Sequence, residues 1–344
     1  MSRSGRAFRR ALLAFAACMA SAAASAAPSA SYVITKTIPL GAPDRWDYVT
    51  VDPPSGRVYV SHGDRLSVVD GRSGAVLGAV EGMPGGTHGI AISTAAGRGY
   101  TDDGRAGVAV SFDLKTLKTI KQIPAEADAD GAVFDAPSGH VFVVDGDPGH
   151  LTVIDPRTDA VVATVNGGGK LEFAVSGDNG KLYVNGEANK EIVRVDTASN
   201  LADAHWPMPG CTSPHGLAID RKSHRLFASC ANSVLTVMNA DTGAVVATLP
   251  IGRGSDGAAF DPKRKLVFSS NGDGTLSVIW EKDADTYVAL PAVKTAVTGR
   301  TMGIDEATGR LYIPAGDVDP ASPPGGRPKL LPGSLKLLVL DPAP

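Results

Sequence analysis

The sequence lacks the short motifs that mark the commonest enzyme sites. G-x-S-x-G, H-E-x-x-H and G-x-x-x-x-G-K-[ST] are all absent, so the usual signals of serine hydrolases, zincins and P-loop enzymes are missing. Gly252 to Gly257 formally matches G-x-G-x-x-G, but a dinucleotide site needs a helix after it and none is indicated. The stretch from Glu126 resembles a calcium loop, yet its twelfth position is Pro137 where a bidentate acid is required. The motifs therefore assign no catalytic residue, no cofactor and no metal.

Long apolar runs and positive charge are also scarce. The first 26 residues carry four arginines, a short alanine-rich apolar run and the triplet Ala24-Ser25-Ala26. This pattern predicts a secretory signal peptide, residues 1–26, and the run is too short for a good membrane span. Losing four arginines takes the formal charge from −3 to −7. The acidic balance argues against nucleic-acid binding, which needs a basic surface.

The sequence does contain a long internal repeat. The segment from Cys211 to Pro250 holds four short apolar runs separated by turn residues, which predicts a four-stranded antiparallel meander. Residues that close the first strand recur every 41 to 44 residues, at Asp52, Ser93, Asp135, Ser176, Asp220, Asp261 and Asp305. Residues that close the third strand follow in step, at Asp70, Asp113, Asp155, Asp196, Asn239, Trp280 and Asp341. Seven such units predict an all-β fold, a seven-bladed β-propeller.

The propeller is predicted to span residues 27–344 as one domain. We expect blades at about 46–80, 88–123, 130–165, 171–206, 215–250, 256–290 and 300–341. The seventh unit ends after its third strand, whereas a spare strand, Tyr32 to Leu40, precedes the first unit. We predict that the spare strand completes the last blade, since ring closure removes an open sheet edge. For the Pro- and Gly-rich insertion from Gly316 to Ser334, surface decoration and ligand binding both stay open.

Several repeat elements resemble a known family. The patterns R-h-Y-V, h-x-V-h-D and T/S-G-x-V-h-x-x-h are similar to the YVTN-type repeat of YncE-like bacterial β-propellers. WDYVTVD, CTSPHGLAID, GSDGAAFD, SSNGDGTLSVI and GRTMGID resemble one periplasmic subgroup of them. The resemblance covers residues 32–344. It implies the fold and a periplasmic or secreted location, but little about chemistry, because propellers host unrelated functions.

Two cysteines, Cys211 and Cys230, remain after signal cleavage. An oxidising compartment and an even count favour a disulfide. Cys211 precedes the first strand of its blade and Cys230 follows the second, so antiparallel pairing brings the two together. We therefore predict a Cys211–Cys230 bridge. A zinc site is disfavoured because the sequence has no C-x-x-C and two cysteines do not complete one.

The remaining signal for function is positional. The residue five before each first-strand marker is polar and ionisable in six of seven blades, and in the fourth blade, where it is Leu171, an acid follows one step later. The predicted ring of ligand-binding residues is Asp47, His88, Asp130, Glu172, His215, Asp256 and Arg300. Innermost strands surround the channel, so these side chains should converge on one of its mouths. Convergent polar groups on an apolar scaffold are typical of a small-ligand site.

Several functions stay open for this ring. The preferred one is non-catalytic binding of a small molecule or protein partner by a monomer without a membrane span. The alternative is a lactonase-like hydrolase, with His88 or His215 as base and Arg300 stabilising an oxyanion. A metal-assisted version would use both histidines with Asp256 or Asp47. A purely structural role, in which the polar groups cap strands or link blades, is the fourth possibility.

Overall fold

The structure, a computed structural model, describes residues 31–323 and 328–343. These residues form seven four-stranded antiparallel sheets, which we call blades 1 to 7. First strands of neighbouring blades contact each other around a central channel. A single 3₁₀ turn, Thr94–Ala96, follows the first strand of blade 2. The predicted seven-bladed β-propeller is confirmed. The signal peptide prediction falls outside the described residues.

The strand bounds follow the repeat read from the sequence. In the first half they are β1 (Tyr32–Pro39), then β2 (Val49–Asp52), β3 (Arg57–His62), β4 (Arg65–Asp70) and β5 (Val76–Glu81) in blade 1, β6 (Ala91–Ser93), β7 (Arg98–Asp103), β8 (Val108–Asp113) and β9 (Thr119–Pro124) in blade 2, β10 (Ala129–Asp135), β11 (His140–Asp145), β12 (His150–Asp155) and β13 (Ala160–Asn166) in blade 3, and β14 (Leu171–Ser176), β15 (Lys181–Gly186), β16 (Glu191–Asp196) and β17 (Leu201–Pro207) in blade 4. In the second half they are β18 (Pro214–Asp220), β19 (Arg225–Cys230), β20 (Val234–Asn239) and β21 (Val245–Pro250) in blade 5, β22 (Ser255–Asp261), β23 (Leu266–Asn271), β24 (Thr275–Asp283) and β25 (Thr286–Lys294) in blade 6, and β26 (Gly303–Asp305), β27 (Arg310–Ala315) and β28 (Lys336–Pro342) in blade 7.

The N-terminal strand closes the ring, as predicted. β1 pairs antiparallel with β28, from Tyr32 opposite Pro342 to Pro39 opposite Lys336. It is therefore the fourth strand of blade 7. The Tyr32 ring packs edge-on against Phe268 of blade 6 at 5.0 Å, and its hydroxyl donates to the Gly309 carbonyl at 3.0 Å. The strand thus seals the sheet edge and also ties blade 7 to blade 6.

Each blade carries one buried aromatic residue in the middle of its second strand. The seven residues are Tyr59, Tyr100, Phe142, Tyr183, Phe227, Phe268 and Tyr312. Three of the tyrosine hydroxyls donate to the following blade, to Asp159, the Ala240 carbonyl and the Gly71 carbonyl. The hydrophobic core accordingly lies between blades, as in the cluster that joins Val49 and Val58 to Tyr312 and Leu337. This arrangement lets a long single domain bury its apolar surface in many small interfaces.

Two glycines allow first strands to approach closely just after ring positions. A Cβ on Gly89 would lie 2.1 Å from the backbone nitrogen of Ala132, and one on Gly216 would lie 2.5 Å from that of Ala258. Both contacts are shorter than side-chain packing permits, so neither position tolerates a side chain without backbone movement. The His-Gly pairs at 88–89 and 215–216 therefore fix where the two histidines enter the channel.

Cys211 and Cys230 form the predicted disulfide, with Cα atoms 5.6 Å apart. β18 pairs with β19 so that Pro214 lies opposite Cys230, which brings the start of one strand to the end of the next. The bridge supports an oxidising compartment for the folded chain. In the described residues, no helix is long and apolar enough to cross a membrane.

Candidate functional site: the channel mouth

The structure places the seven ring residues at the starts of the seven first strands, on one mouth of the channel. Asp130, Glu172, His215 and Asp256 lie inside their strands. The other three lie in the short segments before theirs. Leu171, at the equivalent position of blade 4, is fully buried in the core, and Glu172, one step later, is the ionisable residue of that blade at the mouth. The mouth is therefore lined by four acids, two histidines and one arginine.

Hydrogen bonds between blades fix the backbone of four ring residues. The donor is a side chain of the preceding blade, and the acceptor is the ring residue's own carbonyl. The pairs are Ser61 to His88, Asn185 to His215, Ser270 to Arg300 and Thr301 to Asp47. Because each bond joins two blades, the ring geometry depends on closure of the whole propeller.

His88 is oriented by a buried carboxylate that the sequence analysis missed. Asp102, at the end of β7, accepts from His88 Nδ1 at 2.8 Å and from the Gly89 N–H at 2.7 Å. Its side chain has no solvent exposure. Burial alone would lower the pKa of His88, but the hydrogen bond to Asp102, together with the charges of Asp102 and Asp130, raises it to about 9. The Arg45 guanidinium lies 3.3 Å from Nε2.

A second cluster joins four consecutive blades, 4 to 7. His215 Nδ1 lies 3.0 Å from Asp256 Oδ1, and Arg300 donates to Asp256 Oδ2. Glu187, which follows β15, lies 3.7 Å from His215 Nε2. The hydrogen bond to Asp256 outweighs burial and raises the pKa of His215 to about 9. These residues satisfy one another, so this half of the ring links blades 4 to 7.

Asp47 and Asp130 differ from the other ring residues. Neither carboxylate accepts a hydrogen bond from any residue that the structure describes, and the nearest charged contact of Asp130 is His88 Nδ1 at 3.8 Å. Burial, followed by the charge of neighbouring carboxylates, raises the pKa of Asp47 to about 7 and that of Glu172 to about 8. Partly buried carboxyl groups without a hydrogen-bond donor, such as Asp47 and Asp130, do not stabilise the fold.

The mouth has a floor made by two aromatic residues. Tyr48 of blade 1 reaches Glu172 of blade 4, with 3.4 Å between its hydroxyl and Oε1, and its ring meets Phe173 edge-on at 4.8 Å. Blades 1 and 4 are not neighbours, so this contact spans the channel. A cavity of about 460 Å³ lies farther along the channel and is lined by residues nearer the other ends of the first strands, Phe173 among them. These contacts across the channel close the mouth below the ring, so the mouth is a pocket and not part of an open pore.

A groove of about 870 Å³ adjoins the ring. Its charged side chains are Arg45, Arg253 and Arg300 together with Asp44 and Asp273, and its apolar wall includes Trp46 and Leu330. Both carboxylates accept from backbone N–H groups. Trp46 is 7% exposed, and its indole N–H has no partner among the described residues. The insertion predicted as a surface loop supplies Leu330 and Pro328, so it forms one side of the groove.

Sequence reasoning missed the residues that complete the site. They are Arg45, Tyr48, Asp102, Glu187 and Arg253. One signal for Asp102 and Glu187 was present, because an antiparallel meander puts the end of the second strand beside the start of the first. The contact from Tyr48 to Glu172 has no such signal, since it depends on the width of the closed ring.

Comparison with known proteins supports the fold alone. No family model matches the chain, and no curated protein matches it. Similar solved structures include the RRP9 WD40 repeats (TM-score 0.76, 10% identity, 90% of this chain and 97% of that one) and U3-55K (TM-score 0.75, 9% identity, 90% and 98%). Kuenenia stuttgartiensis hydrazine synthase is also similar (TM-score 0.69, 14% identity, 78% and 92%). At these identities the likeness shows a β-propeller, a fold compatible with binding and scaffold roles.

Proposed function

We propose that this chain is a non-catalytic binding protein whose groove at the channel mouth takes a small organic acid. The ligand would carry two or more anionic groups on an apolar frame. The observation that carries this proposal is the groove of about 870 Å³, which is lined by three arginines, by the apolar Trp46 and Leu330, and by two carboxylates that already accept from backbone N–H groups. The volume falls in the range typical of small-molecule pockets, and guanidinium groups suit carboxylates because they donate two parallel hydrogen bonds.

The arginines are not equally available to a ligand. Arg300 donates to Asp256, whereas the Arg253 side chain has no hydrogen-bond or ion-pair partner among the described residues. Arg253 is also exposed. An anion that pairs with Arg253 would therefore gain a contact without breaking one. Arg253 is the residue whose loss should affect binding most cleanly.

The contacts of the two ring histidines favour binding over covalent catalysis. In the described part of the chain, His88 contacts Asp102, Asp130 and Arg45, and His215 contacts Glu187 and Asp256. Among the described residues no hydroxyl or thiol lies within hydrogen-bond reach of either imidazole, so the ring pairs no such nucleophile with a histidine base. Turnover of lactones by the purified chain would instead support the hydrolase alternative.

The test uses isothermal titration of the full chain with benzene-1,3-dicarboxylate and with its neutral diamide. The dicarboxylate should bind and the diamide should not. Arg253→Gln should weaken binding about tenfold or more, as expected for the loss of one charge-assisted contact. The matched control is Arg72→Gln, an exposed arginine in the turn after β4, at the other end of the propeller. Equal affinity in wild type and Arg253→Gln, or no binding of the dicarboxylate, would refute the proposal.

We further propose that the chain is a YncE-like, YVTN-type propeller exported to the periplasm. The support is the resemblance of WDYVTVD and CTSPHGLAID to that group and the Cys211–Cys230 disulfide, which suits an oxidising compartment. Intact mass of protein recovered from the periplasmic fraction provides the test. A chain that begins at Ala27 is expected, and a chain that keeps Arg3 to Arg10 in the cytoplasm would overturn this assignment.

A further inference from the structure

We propose that Asp47, His88 and Asp130 form a binding site for one divalent transition-metal ion, such as zinc. The three residues come from blades 1, 2 and 3 and stand at consecutive positions of the ring. Together they offer two carboxylate oxygens and one imidazole nitrogen. This donor set suits zinc, manganese or iron(II) better than calcium or magnesium, which prefer oxygen ligands alone. The site lies beside the arginine groove and does not depend on the function proposed for it.

The spacing of the three side chains is close to what an ion needs. One ligand atom from each residue lies within 4.8 Å of the other two. Zinc prefers four ligands in a tetrahedron with bonds of about 2.1 Å, so ligand atoms around the ion lie about 3.4 Å apart. Side-chain rotations that shorten the spacing by up to about 1.4 Å would complete the site.

The surroundings of His88 match those of a metal-bound histidine. Metal-binding imidazoles usually donate their second ring nitrogen to a carboxylate, which fixes the ring and raises its basicity. Asp102 accepts from Nδ1 at 2.8 Å and is itself held by the Gly89 N–H at 2.7 Å. The Ser61 hydroxyl anchors the His88 carbonyl. His88 is therefore preorganised by groups that do not have to move when an ion binds.

The two carboxylates are available to an ion because nothing else in the described structure satisfies them. Asp47 and Asp130 accept no hydrogen bond there, although partly buried carboxylates normally do. The nearby cation Arg300 is held by Asp256. Arg45, 3.3 Å from His88 Nε2, has an exposed side chain that is free to swing away. With Asp102 included, three carboxylates surround one imidazole, which favours a cation.

Zinc titration calorimetry of the full, chelator-treated and untagged chain tests this proposal, with zinc alone as the probe. Saturable binding of one ion per chain is expected. Asp47→Asn and Asp130→Asn should each weaken zinc binding tenfold or more, because each removes an ion-bound oxygen. Asp128→Asn is the matched control, since the Asp128 carboxylate acts on Asp130 by its charge but lies outside the three residues, and its loss should change the affinity less than threefold.

Cobalt(II) gives a second readout, because direct ligation by His88 produces visible absorption that the His88→Gln variant should lose. Thermal melts of each variant establish that it is folded. The proposal is overturned if zinc does not saturate at one ion per chain. It is equally overturned if Asp128→Asn loses as much affinity as Asp47→Asn, because diffuse negative charge would then explain the binding.

Discussion

Glu281 shows how a single buried residue outside the channel mouth can make stability depend on pH. Its side chain has no solvent exposure, it accepts from Ser223 Oγ at 2.9 Å, and it lies beside Asp220. Burial, aided by the charge of Asp220, raises the pKa of Glu281 from 4.5 to about 7. A raised carboxyl pKa means that the folded state binds a proton more tightly than the unfolded state. This contribution to stability is full below pH 4.5 and is lost as the pH rises through 7.

Glu281→Gln should therefore stabilise the protein at pH 8 relative to wild type and leave stability at pH 5 little changed. The upper bound on the gain is about 3 kcal/mol, from the size of the pKa shift. Urea unfolding at both pH values measures it. The exposed Glu81 provides the control substitution Glu81→Gln, which should show no such difference. An equal effect of Glu281→Gln at the two pH values would mean that this carboxyl does not titrate between them.

Two carboxylates at the channel mouth, Asp102 and the ring residue Asp47, should respond in opposite ways to substitution by asparagine. Asp102 accepts from His88 and Gly89, so Asp102→Asn places an amide where a buried acceptor is needed and should cost about 1–3 kcal/mol. Asp47 accepts no hydrogen bond from the described residues, so Asp47→Asn should leave the melting temperature unchanged or higher. Thermal melts at pH 7 compare the pair. A large loss of stability in Asp47→Asn would assign this carboxylate to the fold.

At the residue scale, the repeat register predicted positions but not partners. It placed His88, His215 and Arg300 at one mouth because equivalent positions in a cyclic repeat must lie at the same level. It could not show that Asp256 bridges His215 and Arg300, or that Asp102 holds His88. Those contacts depend on rotamers and on the angle between blades, neither of which appears in a pattern of residue types.

At the scale of single elements, the closing strand carries the clearest prediction. β1 supplies the whole fourth strand of blade 7, and Tyr32 links it to blade 6. A chain that begins at Gly41 leaves β28 as an open edge, so it should aggregate or melt at least about 10 °C lower. A chain that begins at Ser31 keeps β1, so it is the control and should have the same melting temperature as the full chain. If the chain that begins at Gly41 has the same melting temperature as the chain that begins at Ser31, β1 does not stabilise the closed ring.

The disulfide of blade 5 is the second element with a measurable effect. It joins the segment before β18 to the end of β19, across 19 residues of sequence. Closing a loop of this size should stabilise the fold by about 3 kcal/mol, chiefly by restricting the unfolded chain. The double variant Cys211→Ser with Cys230→Ser should lose about that amount in urea unfolding. Unfolding unchanged by the double substitution would contradict a stabilising role.

The strands and the closure were predictable because strand spacing, turn residues and the spare N-terminal strand are local features of the sequence. The position of the insertion beside the ring was not predictable. Its composition indicated a loop, but the contact that puts Pro328 and Leu330 beside Trp46 and Arg253 joins parts of the chain far apart in sequence. The groove therefore depends on closure of the ring, and local features of the sequence do not reveal it.

At the scale of the whole molecule, closure of seven blades brings together groups that the chain separates widely. Asp47 and Arg300 lie at opposite ends of the sequence, yet the Thr301 hydroxyl donates to the Asp47 carbonyl at 2.7 Å. The floor made by Tyr48 and Phe173 separates the mouth from the cavity of about 460 Å³ farther along the channel. The proposed ligand site consequently lies at one end of the propeller.

Histidine side-chain NMR locates the bound ligand most directly. His88 lies at the mouth beside Arg45, whereas His140 and His224 lie at the starts of second strands, toward the other end. Titration with benzene-1,3-dicarboxylate, with signals assigned by His88→Gln and His215→Gln, should shift the His88 resonances and leave those of His140 and His224 in place. Shifts at His140 or His224 with His88 unmoved, or no shift at any of them, would contradict a ligand site at the channel mouth.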